Sequence, residues 1–122
     1  MPDDSTPWPT ELRLKNDKKT LVVSFDDGAS YDLSAEYLRV SSPSAEVQGH
    51  SPDQRKTVPG KRNVEIMTLD PVGNYAVRIT FDDMHNTGIF SWVYLKRLGE
   101  EHAVIWGDYL DELDRKNLSR DR

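Results

Sequence analysis

The chain has 122 residues, a formal charge of −5 and no cysteine. Its length is typical of one domain, and its 36% hydrophobic and 30% charged residues are typical of a folded protein. The lack of cysteine excludes disulfides, thiolate metal sites and cysteine nucleophiles. The acidic balance argues against nucleic acid as a partner. No apolar run approaches the roughly 18 residues of a membrane span, so we expect no membrane partner either.

The N-terminal part of the chain predicts a leader followed by three strands. Residues 1–9 are rich in proline and lack periodicity, so we expect them to be flexible. They do not form a signal sequence, and we therefore expect a cytoplasmic protein. Apolar residues alternate over 12–14 and over 21–25 with a polar turn between, which predicts a β-hairpin. Asp27-Gly28 indicates a second turn, and residues 30–33 a short third strand.

The middle of the chain predicts a short helix, a long loop and two strands. Ser34 is typical of an N-cap, and the helix that follows it must end before Pro43. Residues 40–62 carry several prolines and glycines without periodicity, which predicts an irregular loop. Residues 64–69 and 75–81 are strand-like, and the second of these segments alternates cleanly.

Two helices are predicted at the C-terminal end. From Gly88 the apolar residues fall near helical spacing, and Gly99 is typical of a helix terminus. A second amphipathic pattern covers residues 106–113. The predicted fold class is α+β: a mainly antiparallel sheet of about five to six strands, a short helix after the third strand and two C-terminal helices. We expect the domain to span residues 10–115 and the charged tail over 116–122 to fray.

Candidate metal ligands gather around one histidine. His85 follows Asp82 and Asp83 closely, and these three side chains could hold a metal ion. We favour the alternative, in which the aspartates end a strand in a turn and His85 forms hydrogen bonds to the next helix. The sequence contains neither a serine-nucleophile elbow nor a phosphate-binding loop, so we expect no enzymatic activity.

Two further features could serve a partner. The predicted loop carries a basic patch that consists of Arg55, Lys56, Lys61 and Arg62. This patch could bind an anion or an acidic partner. We favour the alternative, in which the four side chains are only solvated. Phe90 and Trp92, which we place on one helix, cannot point in the same direction. We therefore expect one of these two aromatic side chains to be partly exposed.

Two segments carry a family resemblance. Residues 38–50 read Leu-Arg-Val-Ser-Ser-Pro-Ser-Ala-Glu-Val-Gln-Gly-His, and residues 81–92 read Phe-Asp-Asp-Met-His-Asn-Thr-Gly-Ile-Phe-Ser-Trp. With the opening strands, they resemble the gamma-butyrobetaine hydroxylase-like N-terminal domain family over residues 10–110. In the hydroxylases a separate catalytic domain binds iron and 2-oxoglutarate. The iron ligands of that domain have no counterpart here, so the resemblance does not imply oxygenase activity.

In those hydroxylases the N-terminal domain itself binds a structural zinc ion through three cysteines and one histidine, and the resemblance implies where these ligands would fall in this chain. Their positions correspond to Ser42, Ser44, Val47 and His85 of this chain. Because the thiolates are missing, we expect no bound zinc and no other cofactor. We expect His85 instead to form hydrogen bonds with the Ser42–Ser44 loop. His50 lies near the vacated site and leaves a two-histidine option for zinc or iron.

The resemblance favours a non-catalytic accessory or protein-interaction domain. It implies another protein as the partner, either an oxygenase or an iron–sulfur factor, since similar domains are fused to carriers of iron–sulfur assembly. The candidate partner-binding residues are Arg39, Ser42, Ser44, His85, Phe90 and Trp92. The alternative is a metal- or small-ligand-binding domain that uses His85 with Asp82 and Asp83, linked to the same two processes.

Overall fold

The structure, a computed structural model, is described over residues 7–49 and 55–121. These residues form six strands and four helices. The order along the chain is β1 (Pro9–Leu14), β2 (Thr20–Phe25), β3 (Ser30–Ser34), α1 (Ala35–Val40), α2 (Ala45–Gln48), β4 (Ile66–Val72), β5 (Ala76–Phe81), β6 (Gly88–Ser91), α3 (Trp92–Glu100) and α4 (His102–Arg115). No helix within the described ranges has both the length and the apolar character needed to cross a bilayer.

The strands form two antiparallel sheets rather than one. β1, β2 and β3 make the first sheet in that order, and β4, β5 and β6 make the second. The α+β class and the antiparallel pairing are confirmed, but the single predicted sheet is wrong. Alternating patterns identify strands without fixing their partners, and here two meanders each pair locally. The amide of Ile66 donates to the carbonyl of Lys18 at 2.8 Å, which joins β4 to the β1–β2 turn.

Both sheets contribute to one main core. Leu21 and Val23 of β2, Ile79 of β5 and Leu95 and Leu98 of α3 are completely buried in the same cluster. These are the apolar positions of the alternating strand patterns and of the helical pattern. Burial of the full set is the main stabilising contribution to the fold, because each large apolar side chain removed from water contributes roughly 1.5–3 kcal/mol.

Helix α1 follows Ser34, the predicted N-cap, and ends at Val40, before Pro43. Ser34 has extended backbone angles, and its hydroxyl accepts a hydrogen bond from the amide of Tyr37 at 3.0 Å. This bond satisfies one of the amides that a helix leaves without a partner in its first turn. Tyr37 is completely buried and donates its hydroxyl to the carbonyl of Leu98 at 2.7 Å, which attaches α1 to α3.

The segment after Gly88 is a strand before it is a helix. Residues Gly88–Ser91 form β6 at the edge of the second sheet, and α3 begins only at Trp92. Phe90 therefore lies on a strand, and the prediction that it shares a helix with Trp92 is wrong. Four residues are too few for a two-residue period to stand out against the helical pattern that follows.

Gly99 lies inside α3 and does not end it. The helix continues through Glu100, and the ring of Tyr31 in β3 packs against the glycine. A Cβ at residue 99 would lie 2.4 Å from Cγ of Tyr31, closer than any real contact. Glycine is needed here for the close approach of α3 to the first sheet, rather than for a helix terminus.

The tail that we expected to fray is attached to the loop before β4. The amide of Gly60 donates to the carbonyl of Ser119 at 2.9 Å, and that of Arg62 to the carbonyl of Arg120 at 3.1 Å. The Arg120 guanidinium also forms two hydrogen bonds with the buried carboxylate of Glu36, at 2.7 and 2.8 Å. The charged composition of this tail therefore reflects specific ion pairs, not only solvation.

Candidate functional site

The turn between β5 and β6 brings His85 against the loop that follows α1. Phe81 donates its amide to the carbonyl of His85 at 2.9 Å, which closes the turn over Asp82, Asp83 and Met84. Met84 has a φ of 73°, in the left-handed region that non-glycine residues rarely adopt. Its side chain is exposed, whereas the next side chain, His85, is buried.

Both ring nitrogens of His85 have partners. Nε2 lies 2.9 Å from the Ser42 hydroxyl and 3.4 Å from that of Ser44. Nδ1 lies 3.1 Å from a carboxylate oxygen of Glu46, on helix α2. The predicted hydrogen bonds between His85 and the Ser42–Ser44 loop are therefore present. Three of the four positions that the resemblance assigns to zinc ligands meet in space, and the fourth, Val47, is buried nearby on α2.

The surroundings of His85 favour its neutral form. Burial lowers the pKa of the imidazole, and the nearby Arg39 guanidinium lowers it further, while Glu46 and Asp83 oppose both effects. In the neutral ring, Nδ1 carries the proton and donates it to the Glu46 carboxylate, which leaves Nε2 to accept from the Ser42 hydroxyl. The ring thus links two segments of the loop to the end of β5.

Ser42, His85 and Glu46 follow the order of a hydrolase triad, with the hydroxyl on Nε2 and the carboxylate on Nδ1. However, the Ser42 side chain is completely buried behind β6. A Cβ at Gly88 would lie 2.5 Å from the Ser42 hydroxyl oxygen, so the backbone of β6 closes off the nucleophile position. A substrate carbonyl cannot reach Ser42 in this arrangement, and the three side chains act as a structural connection.

The two aspartates of the turn are engaged by other groups. Asp83 accepts hydrogen bonds from Arg39 at 2.8 Å and from Lys61 at 2.6 Å. Burial alone would raise the pKa of Asp83, but these bonds and the amide of His85 lower it to about 2. Asp82 accepts from the amide of Glu65 at 3.1 Å.

Metal binding at this turn stays the alternative hypothesis. Asp82, Asp83 and His85 do not converge on one point, because each carboxylate faces a different partner. Within the part of the chain that the structure describes, no three histidine or acidic side chains lie close enough together to hold a metal ion. His50, the remaining candidate ligand, lies outside the described residues.

Most of the predicted partner-binding residues are inaccessible. Ser42, Ser44 and His85 form the buried connection described above, and Phe90 is 0% exposed in the main core. Arg39 is largely covered by its ion pair with Asp83, and its Nη1 is buried without a hydrogen-bond partner among the described residues. These residues therefore do not form an exposed contact surface in this structure. The polar ones bond to other parts of the fold, and Phe90 packs in the core.

Trp92 is the one of the two aromatic candidates that reaches the surface. Its amide donates to the carbonyl of Tyr75 at 3.0 Å, and its indole nitrogen donates to the carbonyl of Asn74 at 2.8 Å. These bonds place the start of α3 against the β4–β5 turn. Tyr75 is 59% exposed and Val93 is 60% exposed. We call the surface formed by Tyr75, Trp92 and Val93 the hairpin patch.

Several residues of the site escape sequence reasoning. Glu46 looks like an ordinary acidic loop residue, although Ser44 before a helical turn was a signal for α2. Tyr75 continues the alternation of β5, which predicts burial, but the strand begins one residue later. Three residues of the predicted basic patch have acidic partners within the chain: Lys61 pairs with Asp83, Arg62 with Asp121 and Arg55 with Glu112.

Comparisons with known proteins agree with the resemblance. The sequence model of the family described as gamma-butyrobetaine hydroxylase-like, N-terminal, matches residues 12–96. The comparison with curated proteins found no match.

Three solved structures resemble the fold closely. Two are solution structures determined by NMR. The first is 43% identical, with a TM-score of 0.82, and the match covers 96% of this chain and 92% of that one. The second is 45% identical, with a TM-score of 0.81 and coverage of 98% and 89%. The third is a crystal structure from Acidithiobacillus ferrooxidans of a protein with unknown function in the DUF971 family. It is 39% identical, with a TM-score of 0.65 and coverage of 80% and 98%. This chain belongs to the gamma-butyrobetaine hydroxylase-like N-terminal domain family.

Proposed function

We propose that this protein is a non-catalytic accessory domain that binds another protein through the hairpin patch. The observation that carries the proposal is a contrast between two parts of the molecule. Ser42, Ser44 and His85 are buried and bonded to one another, whereas Tyr75, Trp92 and Val93 leave apolar surface in water. Aromatic residues are enriched where proteins bind other proteins.

The geometry of the hairpin patch suits a contact that does not require refolding. The indole of Trp92 is held by its bond to Asn74, and the Tyr75 ring rests near the Cα of Gly73. Side chains that are already fixed lose little conformational entropy when a partner covers them. By the family resemblance, we propose an iron-dependent oxygenase or an iron–sulfur factor as the partner.

Capture from a lysate of the source cells tests this proposal. We expect the tagged wild-type chain to recover one stoichiometric partner, and Tyr75→Ser to lose it. Tyr75 is exposed, so this variant should keep its stability. Val104→Ser is the matched control, because Val104 is similarly exposed but lies on α4. Equal recovery by Tyr75→Ser, Trp92→Ala and the wild type would refute the hairpin patch as the docking surface.

A further inference from the structure

A second concave surface lies between the loop after α1 and the two C-terminal helices. It is a cleft of about 450 Å³, within the range of about 300–1,000 Å³ that is typical of small-molecule sites. Pro43 and Ile105 are apolar lining residues, and Tyr94 lines the cleft together with the charged residues. We call Ser42, Ser44, Glu46 and His85 the His85 network; none of the residues that line the cleft belongs to it or to the hairpin patch.

Two guanidinium groups line this cleft. Arg55 approaches from the loop and Arg97 from the last turn of α3, while Asp108 contributes one carboxylate from α4. The lining therefore holds two positive charges and one negative charge, and each guanidinium also pairs with a glutamate beside the cleft, Arg55 with Glu112 and Arg97 with Glu101. Both guanidiniums also lower the pKa of Tyr94 against the effect of its burial, which raises it, so both charges lie near one phenol.

Among the described residues, each guanidinium has a single hydrogen-bonded partner. Arg55 uses Nη2 for Glu112, and Arg97 uses Nε for Glu101 at 3.4 Å. A guanidinium has five N–H donors in a fixed planar arrangement, so these single bonds leave several on each side chain. The Tyr94 hydroxyl donates to the carbonyl of Ser41 and can still accept a hydrogen bond.

We propose that this cleft binds the oxyanion group, a carboxylate or a phosphate monoester, of a small organic molecule. The oxyanion lies between Arg55 and Arg97, because paired planar donors match both of these groups. The apolar part of the ligand contacts Pro43 and Ile105. This site is independent of the proposed protein-binding role, since it uses a different surface.

Amide-detected NMR titrations of the full chain test the cleft with three probes at constant ionic strength. Phenyl phosphate and benzoate share a ring and differ in their oxyanion, while benzyl alcohol has the ring without charge. We expect saturable shifts at Tyr94, Ile105 and Asp108 with one or both anions. A response to phenyl phosphate alone identifies a phosphate ester as the ligand class, and a response to benzoate alone identifies a carboxylate. Equal binding of benzyl alcohol would overturn the proposal.

Arginine variants test the same site. Loss of a charge-assisted hydrogen bond should weaken anion binding by about tenfold or more in Arg97→Ala. Arg115→Ala is the control, because Arg115 is also an exposed arginine in the last turn of a helix. Arg55→Ala should weaken binding similarly, and Tyr75→Ser should leave it unchanged. No saturable shift with either anion, or wild-type affinity in Arg97→Ala, would overturn the proposal.

Discussion

His85 takes part in the fold with both ring nitrogens. Ser42 and Glu46 lie on opposite sides of the ring, and the groups with charges near it are Arg39 on α1, Glu46 on α2 and Asp83 in its own turn. The sequence predicted the hydrogen bond to the Ser42–Ser44 loop through the family resemblance. It could not predict Glu46, because that contact depends on a four-residue helix whose position is set by tertiary packing.

The lowered pKa of His85 makes stability depend on pH. As pH falls below about 6.5, the unfolded chain takes up a proton before the folded one does, so the free energy of unfolding decreases. We expect His85→Gln to be less stable than the wild type at neutral pH by about 1–3 kcal/mol, since it disrupts buried hydrogen bonds. It should also lose less stability on acidification. Urea unfolding between about pH 7 and pH 5 measures both effects.

Glu46→Gln sharpens this test. Because the Glu46 carboxylate raises the pKa of His85, removing its charge should lower that pKa further and increase the loss of stability at acidic pH. NMR titration of the His85 ring measures the pKa directly. A His85→Gln variant with the same pH dependence of stability as the wild type would contradict the assignment of that dependence to His85.

Glu36 is the most buried carboxylate in the ion pairs of the described residues, and its partner is Arg120. Glu36 is 5% exposed, so Arg120→Ala would leave a carboxylate without its partner in the interior. We expect the variant to lose about 2–3 kcal/mol of stability in urea unfolding, somewhat less than a fully buried pair because Arg120 is partly accessible. Arg115→Ala, an exposed arginine, should change stability by less than about 0.5 kcal/mol. Equal stability of the two variants would contradict a stabilising role for the ion pair between Glu36 and Arg120 of the tail.

At the scale of elements, caps and alternating patterns made much of the fold predictable. Ser34 identified the start of α1, and clean alternation identified β2 and β5. β6 escaped because it is short and runs directly into α3. Gly99 was wrongly predicted to end the helix. Glycine is needed there because the Tyr31 ring packs against it, a contact between residues far apart in sequence.

The two capped helices give a prediction for single hydroxyl groups. Ser34 accepts from the amide of Tyr37, and Ser91 accepts from the amide of Tyr94 at 3.1 Å. Replacing either serine by alanine should cost about 1 kcal/mol of stability. Ser44, which begins α2 without a side-chain cap bond, differs because its hydroxyl faces His85. Thermal unfolding measures both variants. An unchanged melting temperature in Ser34→Ala and in Ser91→Ala would contradict a stabilising role for the two capping hydroxyls.

The loop and the β5–β6 turn meet where the family resemblance places a zinc site. If these positions correspond, the triple variant Ser42→Cys, Ser44→Cys, Val47→Cys should bind one metal ion together with His85. Cobalt(II) added under reducing conditions should then produce the absorption of a tetrahedral thiolate site. Adding His85→Gln to this variant should weaken the binding. A folded triple variant that takes up no cobalt would contradict the correspondence of positions.

At the scale of the whole molecule, two sheets and the C-terminal helices share one core, and the hairpin patch and the cleft lie on different parts of the surface. The His85 network holds the loop after α1 against the second sheet, and α3 connects both sheets. The family was predictable from the sequence because its two segments are long. The hairpin patch was only partly predictable, because exposure depends on how the β4–β5 turn meets α3.

Amide hydrogen exchange of the captured complex tests the protein-binding role most directly. We expect the partner to slow exchange at residues 73–76 and at the start of α3, and to leave α4 around Val104 unchanged. Tyr75→Ser should remove this protection without changing exchange elsewhere in the free domain. Protection confined to other surfaces, or a domain that forms no complex in its own cells, would contradict a docking role for the hairpin patch.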